Sequence, residues 1–383
     1  MKIAILTTYP PAQCGIGTYS FYLASALTKE KETTINILTE KTNPEVTTTP
    51  ISVHPIYAKE DDYTEDFIQK IKELQPDVVH IQHEFGLFGW DERLLNLLDA
   101  IHELNIPSVI TIHTVYAEGF TKRKPKNMSL EEYYREIGKR ADKVIIHQEN
   151  SIPVLSRMGI DDNKLVQMSH GTLLDPVAQS KTDLRKQLGL IEDAATIMYF
   201  GFLKDDKLTM PFIESLPAIF ERVPNAHFYI VGSFRGHSKR DEEHVEKIKT
   251  FIKEHKLEKK VTFINKFIVE EEVPLYLAAA DVITYPYDIP YWGDTGSAHR
   301  AIGAGAVLAV SRIPKFDEMR NEIHEEMAVL PHNSKHWANC IARLLQDQSF
   351  HNYIKEKTEA YAKKTSWEEI AKQQYDIYQS VLK

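Results

Sequence analysis

The chain begins with residues 2–27, KIAILTTYPPAQCGIGTYSFYLASAL, which join an apolar run, a glycine-containing turn and a helical pattern. The run from Lys2 to Thr7 predicts a buried strand, and the pattern from Gly15 to Leu27 predicts a helix. Gly15 and Gly17 allow a tight turn with exposed backbone N–H groups, so the turn can approach an anion or a sugar closely. An ordinary glycine-rich turn is an equal alternative, because the third glycine of a dinucleotide-binding fingerprint is missing.

Strand-like runs alternate with helical stretches along the rest of the chain, and this alternation is typical of βαβ units with a parallel sheet. One series of strands is predicted near residues 34–38, 78–81, 108–112 and 143–147, and a second near 195–200, 227–231, 261–264, 282–285 and 306–310. The loop from Gly171 to Ser180 separates the two series. We therefore predict an α/β fold of two Rossmann-like, doubly wound parallel-sheet domains. They are expected to face a central cleft, where the carboxyl ends of both sheets meet.

The length of 383 residues agrees with this division into two domains. The predicted N-terminal domain comprises residues 1–175, and the C-terminal domain comprises residues 176–365. The last segment, residues 366–383, places Ile370, Tyr378 and Leu382 near one helical face. We expect this helix to pack back toward the N-terminal domain.

The composition argues against several classes of protein. A net charge of −9 and a pI near 6.0 argue against broad binding to nucleic acid, which needs an excess of Lys and Arg. Cys14 and Cys340 give neither a disulfide framework nor a metal-ligand spacing. No apolar run approaches the roughly 20 residues of a membrane-spanning helix, and the first run stops at Pro10, too early for a signal peptide. We expect a cytoplasmic protein without a nucleic-acid partner.

Polar side chains end two neighbouring strands of the first half. His83 and Glu84 follow one strand, and His113 follows the next. Because ligands of parallel sheets bind at the carboxyl ends of the strands, these three residues are candidates for a substrate site. The basic run that contains Lys122 and Arg123 comes soon after His113. It is a candidate contact for an anionic acceptor or a membrane surface, although such runs are usually solvated loops.

Two loops of the second half suit a phosphate group. Lys207 ends the loop after the first strand of this half, where a lysine can neutralise a phosphate; a solvated surface lysine is the alternative. Asp294, Thr295, Gly296 and Ser297 form a turn that opens a helix, so their N–H groups and hydroxyls can meet a diphosphate. The same four residues also make an ordinary helix N-cap.

Taken together, these motifs resemble the retaining GT-B glycosyltransferases of family GT4, also called glycosyl transferase group 1. The resemblance rests on the order and spacing of Cys14 to Tyr19, Gln82 to Gly86, His113-Thr114, His170-Gly171, Gly201 to Lys207 and Ala301 to Gly305. It also includes the helix start Ser366 to Glu369, and it covers nearly the whole chain.

The resemblance implies transfer of a sugar from a nucleotide-diphosphate donor to a glycan or lipid-linked acceptor, with retention of the anomeric configuration. The catalytic residues predicted on this basis are His113, Lys207 and Glu84. The predicted donor and phosphate contacts are Gly15, Gly17, Lys207, Asp294, Thr295, Gly296, Ser297 and Arg300, and the predicted acceptor contacts are His83, Lys122 and Arg123. The nucleotide sugar is a co-substrate, no metal cofactor is expected, and any membrane contact is expected to be peripheral.

Two departures from the family pattern lie in the second half. Trp292 and Arg300 stand where members commonly carry two glutamates, and an arginine cannot accept a hydrogen bond from a sugar hydroxyl. Phe202 replaces the arginine that usually precedes the family's lysine. We hypothesise that Arg300 supplies the missing positive charge to the phosphates.

Three alternatives remain open from the sequence. A divergent, non-catalytic GT-B protein that binds a sugar nucleotide or a glycan fits the lost glutamates. A sugar-nucleotide epimerase or a glycan phosphorylase is a further GT-B activity, because one fold serves several reactions. A tandem Rossmann dehydrogenase is disfavoured by the incomplete glycine fingerprint.

Overall fold

The structure is a computed structural model of the chain, and it describes residues 1–30, 32–116, 121, 124–233, 238–289 and 291–382. The chain divides into two compact units. The first unit comprises Met1–Gly171, Tyr291–Gly296 and Thr365–Lys383, and the second comprises Thr172–Pro290 and Ser297–Lys364. A short segment from the second half of the sequence and the C-terminal segment therefore belong to the first unit.

An eight-stranded sheet forms the centre of the first unit within the described residues. The strands in this part of the sequence are β1 (Lys2–Leu6), β2 (Thr34–Glu40), β3 (Val46–Thr47), β4 (Ile51–Tyr57), β5 (Val78–His83), β6 (Ser108–Ile112), β7 (Thr114–Val115), β8 (Lys143–Ile146) and β9 (Leu165–Gln167). All of them except β7 belong to the eight-stranded sheet. The sheet order is β3-β4-β2-β1-β5-β6-β8-β9, and only the β3–β4 pair is antiparallel. The strand order changes direction between β1 and β5, and ligands of doubly wound sheets bind at such a switch point.

The helices of the first unit cover the faces of this sheet. They are α1 (Gly15–Leu27), α2 (Thr64–Leu74), α3 (Phe85–Phe88), α4 (Arg93–Glu103), α5 (Leu130–Arg140) and α6 (Ile152–Arg157). Helix α1 buries Tyr19, Leu23 and Leu27 at intervals of four residues, which place them on one face. Helix α5 begins with a capping box, in which Ser129 and Glu132 satisfy each other's backbone N–H groups at 3.1 Å and 2.7 Å.

A six-stranded parallel sheet forms the centre of the second unit within the described residues. Its strands are β10 (Ala195–Phe200), β11 (Ala226–Val231), β12 (Val261–Ile264), β13 (Val282–Tyr285), β15 (Leu308–Ser311) and β16 (Ala328–Val329), in the order β12-β11-β10-β13-β15-β16. The remaining strand, β14 (Trp292–Gly293), lies in the first unit and pairs with β7.

The remaining helices are α7 (Lys181–Leu188), α8 (Met210–Ile213), α9 (Leu216–Arg222), α10 (Lys239–Glu254), α11 (Val273–Ala279), α12 (Gly296–Gly303), α13 (Asp317–Glu322), α14 (Ser334–Gln346), α15 (Gln348–Lys364) and α16 (Trp367–Val381). Short 3₁₀ helices cover Glu149–Ser151, Asp162–Lys164, Pro314–Phe316 and Glu325–Met327. Helix α16 belongs to the first unit, where Trp367, Ile370 and Tyr378 are buried and α1 lies against it.

The predicted elements agree closely with the observed ones. Helix α1 and strands β6, β10, β12 and β13 have the bounds that hydrophobic periodicity predicted. Strand β4 was missed because polar and apolar residues mix in it, and β7 and β14 are too short to leave a pattern. Over the part of the chain that the structure describes, we find no helix whose length and apolar character would let it cross a membrane.

Candidate active site

The predicted polar residues of the first unit gather at the carboxyl ends of β5, β6 and β8. Gln82 and His83 end β5, His113 follows β6, and His147 follows β8. Since these strands are neighbours in one parallel sheet, the side chains at their ends come together. His113 is half-buried, whereas the other three side chains are buried.

A chain of hydrogen bonds runs through His113. Its Nε2 lies 2.8 Å from Oε1 of Gln82, and its Nδ1 lies 3.2 Å from Nε2 of His147. Nδ1 of His147 in turn lies 2.9 Å from the carbonyl oxygen of Met168. Burial, together with the neighbouring His147 and His170, lowers the pKa of His113 well below its usual value. Burial therefore opposes a positive charge on this ring.

The ring of Tyr19 packs against this series of hydrogen-bonded rings. The sequence pattern does not distinguish Tyr19, because a buried tyrosine on α1 looks like an ordinary core residue. Its centroid lies 4.8 Å from that of His113, 5.1 Å from that of His170 and 5.0 Å from that of Trp367. Its hydroxyl is buried and has no hydrogen-bond partner among the described residues. Burial, with a smaller contribution from Asp294, raises the pKa of Tyr19. The phenol therefore stays protonated and can donate a hydrogen bond.

Strands β7 and β14 hold the segment Tyr291–Gly296 against His113. Their antiparallel ladder pairs Val115 with Trp292 and Thr114 with Gly293, and Asp294 follows the second pair along the chain. A Cβ on Gly293 would lie 2.6 Å from the carbonyl oxygen of His113, closer than real Cβ atoms come to backbone. Only glycine fits at this position, and the close approach brings Asp294 to the site.

The predicted phosphate turn is divided between the two units, which differs from its predicted place in the C-terminal domain. Asp294, Thr295 and Gly296 belong to the first unit, and Ser297 belongs to the second. Oδ1 of Asp294 accepts a hydrogen bond of 2.7 Å from the N–H of Thr295, whose side chain is buried. Gly296 is exposed, and its Cβ position lies 3.5 Å from Nε2 of His170. The pairing of β14 with β7 attaches the start of this segment to the first unit.

Gly15 and Gly17 differ in their surroundings. Gly15 begins α1, is exposed, and would have no atom within 4 Å of an added Cβ. A Cβ on Gly17 would lie 3.3 Å from the backbone nitrogen of Tyr9 and 3.4 Å from the carbonyl oxygen of Thr8. Gly17 is buried and lets α1 approach the backbone that follows β1. Gly15 keeps the open surroundings that a ligand contact needs.

His83, a predicted acceptor contact, is fully buried. Its Nε2 lies 3.4 Å from the hydroxyl of Tyr133, and its ring packs edge-on against Phe85 at 4.9 Å. Burial lowers the pKa of His83 to about 3, so the ring is a neutral part of the core. Glu84, the next residue, is half-buried and directly precedes α3.

The predicted acceptor contacts Lys122 and Arg123 lie outside the described residues. The end of the same basic run is described, and Lys124 and Lys126 are exposed there. The backbone N–H of Lys126 donates a hydrogen bond of 2.8 Å to the carbonyl oxygen of Trp90. This bond attaches the end of the basic run to the first unit.

In the second unit, Tyr287 contacts both Lys207 and Ser297. The Lys207 ammonium lies 5.7 Å from the centroid of the Tyr287 ring, and the Tyr287 hydroxyl lies 3.4 Å from Oγ of Ser297. The carbonyl oxygen of Ser297 also accepts a hydrogen bond of 2.8 Å from the Tyr285 hydroxyl. Burial lowers the pKa of Lys207, and the neighbouring Asp206 carboxylate acts in the opposite direction. An anion bound beside this lysine would favour its charged form.

Arg300 forms an ion pair with Glu270, and its side chain is only 16% exposed. The positive charge that we assigned to the phosphates is therefore already balanced by a carboxylate within the second unit. Trp292, which replaces the first of the two glutamates, pairs with Val115 in the ladder of the first unit. The two residues that replace the family's glutamates therefore belong to different units: Trp292 to the first and Arg300 to the second.

Two family models match the chain. The model described as "Glycosyltransferase Family 4" matches residues 14–174, and the model described as "Glycosyl transferases group 1" matches residues 194–347. The chain belongs to the GT4-like glycosyltransferases. The predicted family and the predicted class of enzyme are confirmed.

Individual relatives of this glycosyltransferase are distant in sequence. The D-inositol 3-phosphate glycosyltransferase of Nocardioides sp. is 23% identical over 289 residues, which are 71% of this chain and 62% of that relative. Sucrose-phosphate synthase of Thermosynechococcus elongatus has a TM-score of 0.73 at 20% identity and covers 99% of this chain and 98% of its own. Anabaena HepE, in a complex with UDP and glucose, has a TM-score of 0.71 at 17% identity over 99% and 100% of the two chains. These likenesses confirm the predicted GT-B fold.

Replacing Gly15 by alanine is expected to weaken substrate binding without unfolding the glycosyltransferase. An added methyl group meets no protein atom, so the stability should change by about 0.5 kcal/mol or less. The same methyl group would stand where a ligand approaches the turn, and a roughly tenfold higher KM corresponds to about 1.4 kcal/mol of lost binding. Steady-state kinetics and thermal unfolding check both points. Gly17→Ala is the matched control, with an expected destabilisation of about 1–3 kcal/mol from overpacking. Unchanged KM values in Gly15→Ala would contradict the prediction that Gly15 contacts the donor.

The buried histidines are expected to make the glycosyltransferase less stable as the pH falls below about 6.5. Burial lowers the pKa of His80 and of His83 to about 3 in the folded chain. Between these values only the unfolded state takes up the protons, so each histidine favours unfolding by up to about 1.4 kcal/mol per pH unit. Denaturant unfolding at several pH values measures the slope. His83→Gln should lower this slope by about 1.4 kcal/mol per pH unit, which corresponds to one proton. Equal slopes in the wild-type chain and in His83→Gln would show that His83 does not control acid stability.

Proposed function

We propose that this glycosyltransferase moves a sugar from a nucleotide-diphosphate donor to a glycan or lipid-linked acceptor with retention of the anomeric configuration. Support for the donor class comes from structural relatives, since HepE of Anabaena forms complexes with UDP and with UDP-glucose. A trehalose-6-phosphate protein of E. coli with the same fold is bound to UDP-2-fluoro glucose. The family resemblance supports retention.

The observation that carries this proposal is the placement of Lys207 and Ser297 on the same tyrosine, Tyr287. Ser297 lies in the first turn of α12, where backbone N–H groups attract anions. An ammonium group and a helix N-terminus beside one ring form a suitable site for a diphosphate. In the transfer they would stabilise the negative charge that develops on the departing diphosphate.

In the first unit, His113 and Tyr19 supply polar groups for the transferred sugar or for the acceptor hydroxyl. Their side chains pack together at the ends of the strands, and the Asp294 carboxylate contributes to the raised pKa of Tyr19. Glu84 is half-buried one residue beyond β5 and remains a proposed catalytic contact. We assign no covalent nucleophile.

A screen of UDP, GDP and ADP sugars tests the proposal. The purified chain is incubated with each donor and with methyl glycosides or lipid-linked sugars, and the release of nucleoside diphosphate is followed. The anomeric proton coupling in the product reports retention or inversion. Donor epimerisation without release would favour an epimerase, and sugar-phosphate formation from a glycan would favour a phosphorylase. Binding of a donor without any turnover would favour a non-catalytic protein.

We also propose that the transfer needs no metal ion, because Lys207 and the backbone N–H groups of α12 supply positive charge at the diphosphate. Within the described ranges, no group of three or more His, Cys, Asp or Glu side chains is placed to hold a metal. An unchanged rate in EDTA is the expected result. A rate that falls in EDTA and returns with Mg²⁺ or Mn²⁺ would refute metal independence.

For the acceptor, we propose a cytoplasmic reaction with peripheral contact at an anionic membrane surface. The exposed Lys124 and Lys126 support this part, because basic side chains attract anionic lipids. Co-sedimentation with vesicles of phosphatidylcholine and phosphatidylglycerol tests the contact. Equal sedimentation with pure phosphatidylcholine would argue for an acceptor that is free in solution.

A further inference from the structure

The hydrogen bonds around His113 can be given a direction, starting from Met168. A carbonyl oxygen only accepts, so His147 carries a proton on Nδ1 and donates it to Met168. A neutral His147 then has its lone pair on Nε2, which lies 3.2 Å from Nδ1 of His113. His113 must therefore donate from Nδ1. If His113 is also neutral, its lone pair is on Nε2.

The side chain of Gln82 determines how this chain of bonds ends. Its Oε1 stands 2.8 Å from Nε2 of His113, where two lone pairs would face each other if His113 is neutral. The oxygen and nitrogen of an amide are told apart by their hydrogen-bond network, and rotating the amide exchanges them. The contacts of the amide with His80, at 3.2 Å and 3.4 Å, are longer. They do not set the orientation, because both ring nitrogens of His80 already meet the hydroxyls of Thr111 and Tyr378.

Two arrangements satisfy these contacts. If the Gln82 NH₂ group faces His113, it donates to Nε2, and both His113 and His147 are neutral. If the Gln82 oxygen faces His113, the series of hydrogen bonds has an acceptor at each end, Oε1 of Gln82 and the carbonyl oxygen of Met168. The three hydrogen bonds between these ends then need three protons on the rings of His113 and His147. Two neutral rings carry only two protons, so the rings must share one positive charge.

The surroundings of His113 favour the neutral arrangement. The titratable side chains around it are His80 and His83 on β5, His147 after β8, His170 after β9 and Tyr19 on α1. The Asp294 carboxylate after β14 completes this set, because it is near enough to Tyr19 to raise the pKa of that phenol. Burial and the neighbouring histidines oppose a positive charge, and Asp294 is the one member of this set that favours it. The pKa of His113, which lies well below its usual value, agrees with this balance.

We propose that Gln82 and His147 are positioning residues that hold His113 as a neutral ring with its proton on Nδ1. Nε2 then receives a hydrogen bond from a substrate hydroxyl, which takes the place of the Gln82 amide. A cationic His113 would have the opposite polarity and would donate to that hydroxyl. The inference rests on the proposed function only in placing a hydroxyl at His113, because the protonation of the ring does not depend on turnover.

Two-bond ¹H–¹⁵N correlation spectra of the full chain, labelled with ¹⁵N-histidine, test the proposal between about pH 6 and pH 8, the range in which an ordinary histidine titrates. The His113 signals, identified by their loss in His113→Gln, should show a protonated Nδ1 and an unprotonated Nε2. A doubly protonated ring, or a proton on Nε2, would overturn the proposal. The His54 signals provide a folding control, because His54 bonds Asn36 elsewhere in the sheet.

Paired variants separate positioning from a merely structural role. His147→Gln offers an amide oxygen to Nδ1 of His113, so the ring should keep its proton on Nδ1. His147→Leu removes the acceptor, so His113 should become a mixture of its two neutral tautomers. Gln82→Glu places an acceptor at Nε2 and should draw a second proton onto the ring. If the His113 pattern is the same in all three variants, the positioning role is rejected.

A kinetic comparison keeps this inference distinct from the proposed function. Where the wild-type chain turns over a donor, Gln82→Glu should lower kcat/KM by roughly tenfold near neutral pH, or about 1.4 kcal/mol. The loss should shrink as the pH rises and the ring becomes neutral. A loss that is equal at every pH would count against the positioning role. Complete inactivity of the wild-type chain with all donors would refute the proposed function and leave the spectra to judge the inference.

Discussion

Replacing Lys207 by alanine is expected to lower kcat/KM for the donor by about 10²–10³, the range found when one preorganised charge-stabilising group is removed from an active site. The half-buried ammonium lies beside Tyr287, and no other cation in the described part of its loop is comparably buried, since Lys204 is exposed. Nucleotide release under subsaturating donor measures the effect. Lys204→Ala, in the same loop, is the matched control and should remain within about twofold of wild type, or about 0.4 kcal/mol.

The pH dependence of donor binding provides a second measurement at Lys207. Because burial lowers its pKa, the ammonium loses its charge at a lower pH than an exposed lysine does. The charged form binds the diphosphate, so affinity should be full below this pKa and should fall as the pH rises through it. Lys207→Arg keeps its charge at all accessible pH values and should not show the fall. The same alkaline fall in Lys207→Arg would assign it to another group.

Replacing Gly293 by alanine is expected to lower kcat by about 10²-fold, the cost of displacing a site by about 1 Å. The added Cβ would lie 2.6 Å from the carbonyl oxygen of His113, so β14 must move away from β7. Asp294, the next residue, would move with it. The stability should fall by only about 1–3 kcal/mol, as is usual for overpacking. Kinetics and thermal unfolding of the same preparation separate the two effects.

Gly138→Ala is the matched control for Gly293→Ala. Gly138 is a buried glycine of the same unit, and an added Cβ there would lie 2.9 Å from side-chain carbons of Ile160. It should lose about 1–3 kcal/mol of stability by overpacking and keep the wild-type kcat. A Gly293→Ala variant with wild-type kcat would show that the ladder does not position the site, even if its melting temperature falls.

Most of the fold could be predicted because hydrophobic periodicity is a local property. Helix α1 and strands such as β6 and β10 were located from runs of neighbouring residues. The candidate site was predicted in part. His113 and Lys207 stand at the ends of strand and loop patterns, and the structure gives each of them partners and a pKa below its usual value.

Other site residues could not be found in this way. Tyr19 and His147 belong to patterns that are typical of cores, and only their packing against His113 distinguishes them. His83 was predicted to contact an acceptor because it ends a strand, but its side chain turns into the core beside Tyr133. The position of a residue along a strand does not state how deeply its side chain is buried.

The order of residues alone determines the alternation of strands and helices, the two mainly parallel sheets and the membership of a glycosyltransferase family. Each depends on patterns among near neighbours or on motif spacing. The lowered pKa of His113, the burial of His83 and the division of the turn at Gly296 and Ser297 follow only from the folded chain. They depend on desolvation and on contacts such as the one between Gly293 and His113, which join residues about 180 positions apart. No local pattern records such contacts.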